Sequence, residues 1–514
     1  MKKLNLLFIG ILSMSTVYAQ EISDVLRYSQ SEIHGTARFR AMSGAFGALG
    51  GDLSAVSLNP AGSVVFNQSH AAITGSVVGT DNTTEYFNNY TNSNESKFQI
   101  NQGGAAFIFR NNDRSSEWSK FALSFNYERT NNHNSSWTAR GLNDTQDPDF
   151  SNSVASYFFD YADGKRLVDI SALPDETISQ AYRNIGDEFG FAHQQGFLGY
   201  ESYILDPEFD DDENTAYFSN VEPGNFNHNY TYIASGYSSK MSFNLATQYK
   251  NVLSLGLNLN SHFMRYDRAT ILLEDNNNVG SYVNSIDFRN NLTSRAAGFS
   301  FQLGAIVKLT PELRAGLTYD SPTWYSVDEE TSQSVSTVRD EVNGPESILI
   351  APGILNVYPR YNLQSPSRFT GSLAYVFAKR GILSFNYSNT NYSKTKLTPT
   401  YDPFFADQND IMSNTFTNAS TYRIGAEYKI KQISLRGGYR FEESPYLNQT
   451  TVGDLTGYSF GIGFNFGNFR LDLAYDRAER DSQNNLYNLN FGTAPSANVN
   501  TENQNFTFTL AFNI

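Results

Sequence analysis

The sequence predicts an all-β fold: a 14-stranded antiparallel transmembrane β-barrel plugged by an N-terminal hatch. Three observations lead there. The chain is hydrophilic on average, with a mean hydropathy of −0.43, yet 14% of its residues are aromatic. Its strand-like segments alternate strictly between apolar and polar residues. The connections between those segments alternate between very short and long. A barrel wall explains all three, because only every second residue of a 9–11-residue spanning segment must be apolar, and short turns at one rim face long loops at the other.

Alternation is clearest near the C-terminus. Tyr458, Phe460, Ile462, Phe464 and Phe466 share one face, with Ser459, Gly461, Gly463 and Asn465 on the other. Phe469, Leu471, Leu473 and Tyr475 repeat the rule, as do Phe506, Phe508, Leu510 and Phe512. A period of two is the signature of a strand with one apolar face. Fourteen such segments are predicted, at 65–80, 98–110, 119–131, 230–250, 252–274, 286–309, 312–328, 366–378, 381–398, 418–431, 433–444, 456–467, 469–486 and 503–514. Short connections occur at Lys250-Asn251, Thr310-Pro311, Ala378-Lys379-Arg380, Lys431-Gln432 and Gly467-Asn468. Long polar stretches lie between them, the longest at about 132–229. A closed barrel also satisfies every backbone group within lipid, which an open sheet does not.

Composition narrows the function. The 514 residues include no cysteine, which removes disulfides, thiolate metal sites and cysteine nucleophiles. With 37 Lys+Arg against 52 Asp+Glu, the net charge of −15 argues against nucleic acid as a partner. Lys2 and Lys3, the apolar run Leu4 to Leu12 and the small-residue site ending at Ala19 read as a signal peptide over 1–19. The remaining domains are then a hatch at 20–64 and the barrel at 65–514. This organisation places the chain in the outer membrane of a Gram-negative-type cell.

Residues 20–64 do not alternate. Ala41 to Gly51 is dense in Gly and Ala, and Asn59-Pro60-Ala61-Gly62 marks a turn. A plug inside the lumen is the favoured reading, with a periplasmic extension or a first strand pair as the alternatives. In the long loop, Ile170 to Ile185 suggests one or two helical turns. Asp210 to Glu213 reads as a solvated acidic run, because the spacing and glycine of a calcium loop are absent. The loop aromatics Phe189, Phe191, Phe197, Tyr200 and Tyr203 form either an apolar landing surface or the loop's own packing. Arg265, Arg268, Arg314, Arg423, Glu427, Arg436, Arg440, Arg470 and Asp472 are candidate lumen charges, expected mostly to pair with one another, with binding of a ligand carboxylate as the sharper alternative for the arginines.

Catalytic motifs are missing: the chain has no HExxH, no GxSxG and no Walker loop, and its six histidines are dispersed. No metal or other cofactor is predicted.

Ser43-Gly44-Ala45 through Asp52, followed by Asn59-Pro60-Ala61 just before the first strand, resembles the FadL/TodX-like outer-membrane transporters of long-chain fatty acids and other hydrophobic compounds. Leu255 to Asn258 with Arg265, Leu317-Thr318-Tyr319, Thr421 to Gly425 and Glu443-Ser444-Pro445 look similar in order. The resemblance implies passive uptake, with ligand capture in an extracellular groove, an apolar lumen pocket and hatch-gated release sideways at a kink in the third strand. It implies hatch and gating roles for Ser43, Gly44, Asn59, Pro60 and Ala61, the last three beside the kink. The kink would match Ser124, Phe125, Asn126 and Tyr127, although Glu128 stands where the pattern has a glycine. Arg265 and Arg268 are its candidates for a ligand carboxylate. Fatty acids, aromatic hydrocarbons and haem-like compounds all fit the ligand class. The expected partners are that ligand, outer-membrane lipid and lipopolysaccharide, with the protein a monomer. A general porin, a structural surface barrel and a barrel hydrolase are the rival functions.

Overall fold

The computed structural model describes residues 22–113, 115–145, 152–378, 380–489 and 493–514; the signal-peptide prediction at 1–19 lies outside them. Fourteen antiparallel staves close into a barrel. They are β1 (His70–Tyr86), β2 (Asn89–Arg110), β3 (Trp118–Asn132), β4 (Phe226–Tyr249), β5 (Leu253–Asp275) and β6 (Val283–Lys308). Stave β7 has two pieces, Leu313–Asp320 and Trp324–Glu341, and so has β8, Tyr361–Gln364 and Arg368–Phe377. Then follow β9 (Gly381–Asn391), β10 (Asn418–Ile430), β11 (Ile433–Glu442), β12 (Val452–Asn465), β13 (Phe469–Asn485) and β14 (Ser496–Asn513). The ladder from His70↔Asn513 to Glu85↔Asn498 closes β1 on β14 and leaves no free edge there.

The wall follows the sequence alternation. On β14, Phe506 is 60% exposed on the outer face while Thr509 is fully buried inside. Tight turns at one rim use left-handed residues, including Lys250 (φ 49°) with Asn251 (φ 56°) and Lys431 (φ 56°). Two such residues in succession give the turn whose twist matches a hairpin. The connection between β1 and β2 departs from the prediction. It is a tight corner at Phe87 and Asn88 rather than a long loop, because the two strands stay paired to Tyr86↔Asn89. Stave β7 likewise runs to Glu341 instead of ending near 328, and continues its ladder with β6 to Arg339↔Val283.

The N-terminal segment fills the lumen. It contains α1 (Ile22–Arg27), α2 (Ala37–Arg40), α3 (Leu53–Leu58) and a 3-10 helix over Pro60–Val65. Ile33, Phe39, Met42, Phe46 and Leu49 bury themselves together against Ala374 of β8. Small inward-facing residues on the wall make room for this backbone. A Cβ added at Gly256 would lie 2.3 Å from Pro60 C, at Gly304 2.1 Å from Asn59 Oδ1, and at Gly438 2.5 Å from Met42 C. Glycine inside a strand here marks close backbone approach.

A helical cap occupies the long connection between β3 and β4. It comprises α4 (Ala155–Ala162), α5 (Ile178–Glu188) and α6 (Phe191–Glu201), with a small hairpin of Leu205–Pro207 and Tyr217–Ser219. The predicted turns at 170–185 become α5, whose N-terminus is closed by a capping box between Thr177 and Gln180. Phe197 is fully buried, and Phe189 and Tyr200 pack against the same cluster, so these loop aromatics serve the cap's own core. The connection between β9 and β10 carries α7 (Pro403–Thr415), which meets α1 in a second core with Tyr325, Tyr361 and Phe416. Among the described residues, no helix is long and apolar enough to cross a membrane.

Candidate functional site

Polar side chains of the wall anchor the plug. Arg38 reaches Glu427 of β10 (Nε–Oε2 2.8 Å), and Arg40 reaches Asp476 of β13 (Nε–Oδ1 2.7 Å). Glu427 also receives Arg436 at 2.7 Å, whose other arm meets Asp472 at 2.7 Å. Arg470 closes the chain on Asp472 at 2.5 Å. These are the paired lumen charges anticipated from the sequence, with two plug arginines joined to them. Arg314 donates to Leu49 O at 3.2 Å, and Lys120 donates to Val64 O and Phe66 O at 3.3 and 3.2 Å.

The predicted gating residues sit within this contact surface. Ser43 (φ 48°) and Gly44 (φ 73°) form a left-handed corner, and Ser43 N donates to Ser459 Oγ of β12 at 3.0 Å. Asn59 Oδ1 accepts from Ala61 N at 3.1 Å and so caps the 3-10 helix. Its Nδ2 donates to Gly47 O at 2.7 Å and to Ala305 O of β6 at 3.1 Å. Pro60 O accepts from Asn244 of β4 at 2.9 Å. The Asn59-Pro60-Ala61 turn therefore rests mainly on β4, β5 and β6.

Strand β3 is interrupted, but further along than the sequence suggested. Ser124, Phe125, Asn126 and Tyr127 lie in regular ladders with both β2 and β4. The ladder to β2 ends at Gln102↔Glu128, whereas β2 itself continues, paired to β1, up to Asn89. Beyond Glu128, β3 bulges between Arg129 and Asn131, breaks at His133-Asn134, and resumes as Ser135–Asn143 along β4. Opposite the break stands Gly236 (φ 135°), whose carbonyl accepts from His133 N at 3.1 Å. A Cβ there would meet Arg265 O at 2.1 Å, so glycine is required on both counts. Side chains bridge the unladdered seam: Arg129 Nη1 donates to Gln99 Oε1 at 2.8 Å, and Thr91 and Ser93 donate to the carbonyls of Thr138 and Ser136. Glu128 is buried, with its carboxylate beside Gly35 of the plug.

Plug residues before the Gly/Ala-rich stretch meet this break. Glu32 N donates to Thr130 O at 3.0 Å and to Asn131 Oδ1 at 3.1 Å, and Asn131 Nδ2 donates to Gln30 O at 2.9 Å. Nothing in the composition of residues 30–32 marks them; only the bulge of β3, which aims Asn131 inward, brings them into play.

Above the plug lies a cavity of about 1110 Å³. Leu26, Arg27 and Gln30 to Ile33 form its floor, Asn131 to His133 one wall, and Tyr157, Tyr161 and Phe191 of the cap part of its roof. Trp137, Tyr230, Tyr232, Phe288 and Tyr392 supply aromatic surface. The cavity thus touches both the cap and the break in β3. Arg268 lines it, but Arg265 does not. Arg265 shares the outward parity of Leu255, Leu259 and Phe263, its side chain is 59% exposed, and it pairs with Asp267 at 3.1 Å. Its pairing with a ligand carboxylate inside the lumen is therefore corrected by strand parity. The Asp210 to Glu213 run is exposed, and among the described residues no His/Cys/Asp/Glu group is arranged to hold a metal ion.

A family model described as outer membrane protein transport protein (OMPP1/FadL/TodX) matches residues 213–514. Among solved structures, a Pseudomonas aeruginosa FadL homologue aligns over 94% of this chain and 99% of its own, at 13% identity and a TM-score of 0.56. The Pseudomonas putida toluene transporter TodX aligns over 95% and 100% at 13% identity, with a TM-score of 0.49. No curated protein matches the chain.

Proposed function

The chain belongs to the outer membrane protein transport family OMPP1/FadL/TodX, and on that premise we propose that it takes up hydrophobic molecules passively, long-chain fatty acids among them, with the plug gating release through the β3 seam. Transport of hydrophobic compounds across the outer membrane is the family's work. The route is our reading, and one observation carries it: the cavity wall at Asn131 to His133 is also the place where β3 leaves β2 and where plug residues Gln30 to Glu32 are bonded.

The energetics suit such a path. A hydrophobe gains roughly 0.8 kcal/mol for each methylene it removes from water. The aromatic lining supplies that burial without a covalent or energised step. A straight exit through the plug would require breaking its buried ion pairs with β10 and β13. A sideways exit would disturb only side-chain bridges and the few bonds of Gln30 to Glu32. Ligand contact with α1 and residues 30–33 gives the plug a differential interaction, which is what a population shift requires.

The test is uptake of a fluorescent long-chain fatty acid by cells lacking their own uptake barrel, with and without this protein. Faster uptake with the protein, and extraction of apolar compounds from the purified barrel by mass spectrometry, support the reading. Equal uptake with no co-purified hydrophobe contradicts it.

A further inference from the structure

The cavity carries positive charge in an acidic protein. Among the described residues its lining includes seven arginines against five carboxylates, whereas the whole chain carries −15. The excess is concentrated at one place. Arg423 of β10 and Arg440 of β11 stand directly opposite each other in register, both inward. Like charges so placed repel. Arg480 of β13 joins them, and all three approach the carboxylate of Glu442, while Glu32, the other carboxylate beside Arg440 and Arg480, is held by His34 at 3.2 Å.

Their geometry is loose. Arg440, Arg423 and Arg480 approach Glu442 at 3.4, 3.7 and 3.9 Å. The plug pairs of Arg38 and Arg40 close at 2.8 and 2.7 Å. Arg423 and Arg440 side chains are about nine-tenths buried, and among the described residues the Nε atoms of Arg423 and Arg480 have no hydrogen-bond partner. Nearby carboxylates are engaged elsewhere: Asp476 holds Arg40, and Glu443 accepts from Ser420 N at 2.8 Å. A buried guanidinium lacking its full set of acceptors is costly, so the arrangement is built to receive anionic oxygen.

We propose that Arg423, Arg440 and Arg480 form a headgroup site for a dianionic amphiphile, a ligand with two negative charges on one head and an apolar body against the aromatic cavity wall. The inference rests on the transport reading above and refines its substrate class. With Glu442 already facing them, a single carboxylate would match two of the three guanidinium charges; a phosphate monoester or a dicarboxylate matches all three. The planar, forked donors of arginine suit such oxygens better than a point charge does.

The experiment measures binding of dodecanol, dodecanoate and dodecyl phosphate to the purified full-length barrel at pH 8, where the phosphate monoester is a dianion. Inorganic phosphate serves as a separate competitor. The expected order is dodecyl phosphate tightest and dodecanol weakest, with inorganic phosphate a poor competitor because it lacks the apolar body. Arg423→Gln and Arg480→Gln should each weaken dodecyl phosphate by roughly tenfold or more, the scale of a lost charged hydrogen bond, and leave dodecanol unchanged. Heat-modifiable gel migration verifies that each variant folds. Dodecanol binding as tightly as dodecyl phosphate, or an order that survives both substitutions, overturns the proposal while leaving transport intact. Displacement by inorganic phosphate at equal concentration also overturns it, in favour of a free-anion site. Failure of all three amphiphiles to bind overturns it together with the transport reading.

Discussion

Arg38 of the plug grips Glu427 of the barrel wall with two parallel hydrogen bonds, Nε to Oε2 at 2.8 Å and Nη2 to Oε1 at 3.2 Å. The same carboxylate receives Arg436, which keeps a second partner in Asp472. The two ends of the bridge are therefore unequal. Glu427→Leu strands Arg38 without its carboxylate and halves the support of Arg436, whereas Arg38→Met leaves Glu427 paired. Breaking a buried pair from one side costs about 3–5 kcal/mol. We expect Glu427→Leu to loosen the plug more than Arg38→Met, read as higher ion conductance in planar bilayers. Equal, unchanged conductance in both variants would mean that the bridge does not seat the plug.

The inward glycines make a second test of plug seating. Gly304→Val would drive its side chain into Asn59 Oδ1, 2.1 Å from the new Cβ, and disturb a cap worth about 1 kcal/mol. Gly371 on β8 has nothing within 4 Å of an added Cβ. Gly371→Val should leave solute permeability at the parent level, while Gly304→Val should raise it in liposome swelling. Both should retain heat-modifiable migration. The opposite ranking would contradict the packing of Asn59 against β6.

Strand parity separates two arginines only three residues apart. Arg265 faces outward beside Phe263, and Arg268 lines the cavity. Arg265→Gln should leave ligand retention unchanged, and Arg268→Gln should lower it, as measured by equilibrium binding of a labelled amphiphile. A loss confined to Arg265→Gln would place the ligand outside the lumen.

Much of the barrel was legible because lipid enforces alternation. Phe506, Phe508 and Phe512 announce their face without help from tertiary structure. Strand ends were less legible for the same reason. Glu329 and Glu330 look like loop residues, yet the ladder of β7 with β6 continues through both to Arg339. The plug's identity was readable from Ala41 to Gly51, but not its track, although glycines such as Gly256 and Gly438 on polar strand faces were the available signal. The arginine site was readable only in part: Arg423 and Arg440 stand among the candidate lumen charges, and Arg480 does not. Arg423, Arg440 and Arg480 each look like ordinary inward polar residues, and only the register Arg423↔Arg440 brings them onto one carboxylate. The break in β3 was anticipated at Ser124 to Tyr127 from family likeness. It falls at Arg129 to Asn134 because Gly236, the residue that permits it, lies across from His133.

The seam itself offers the most direct measurement. The chain has no cysteine, so a pair introduced as Gln99→Cys and Arg129→Cys would be the sole thiols. Their parent side chains touch across the seam at 2.8 Å. Bridging the pair with a short bismaleimide ties β2 to β3 where no ladder joins them. Fatty-acid uptake by cells carrying the bridged protein should fall to the level of cells without it, while the unbridged double variant and either single variant treated with the reagent should retain uptake. Full uptake through a barrel shown by mass spectrometry to be bridged would contradict lateral release at β3.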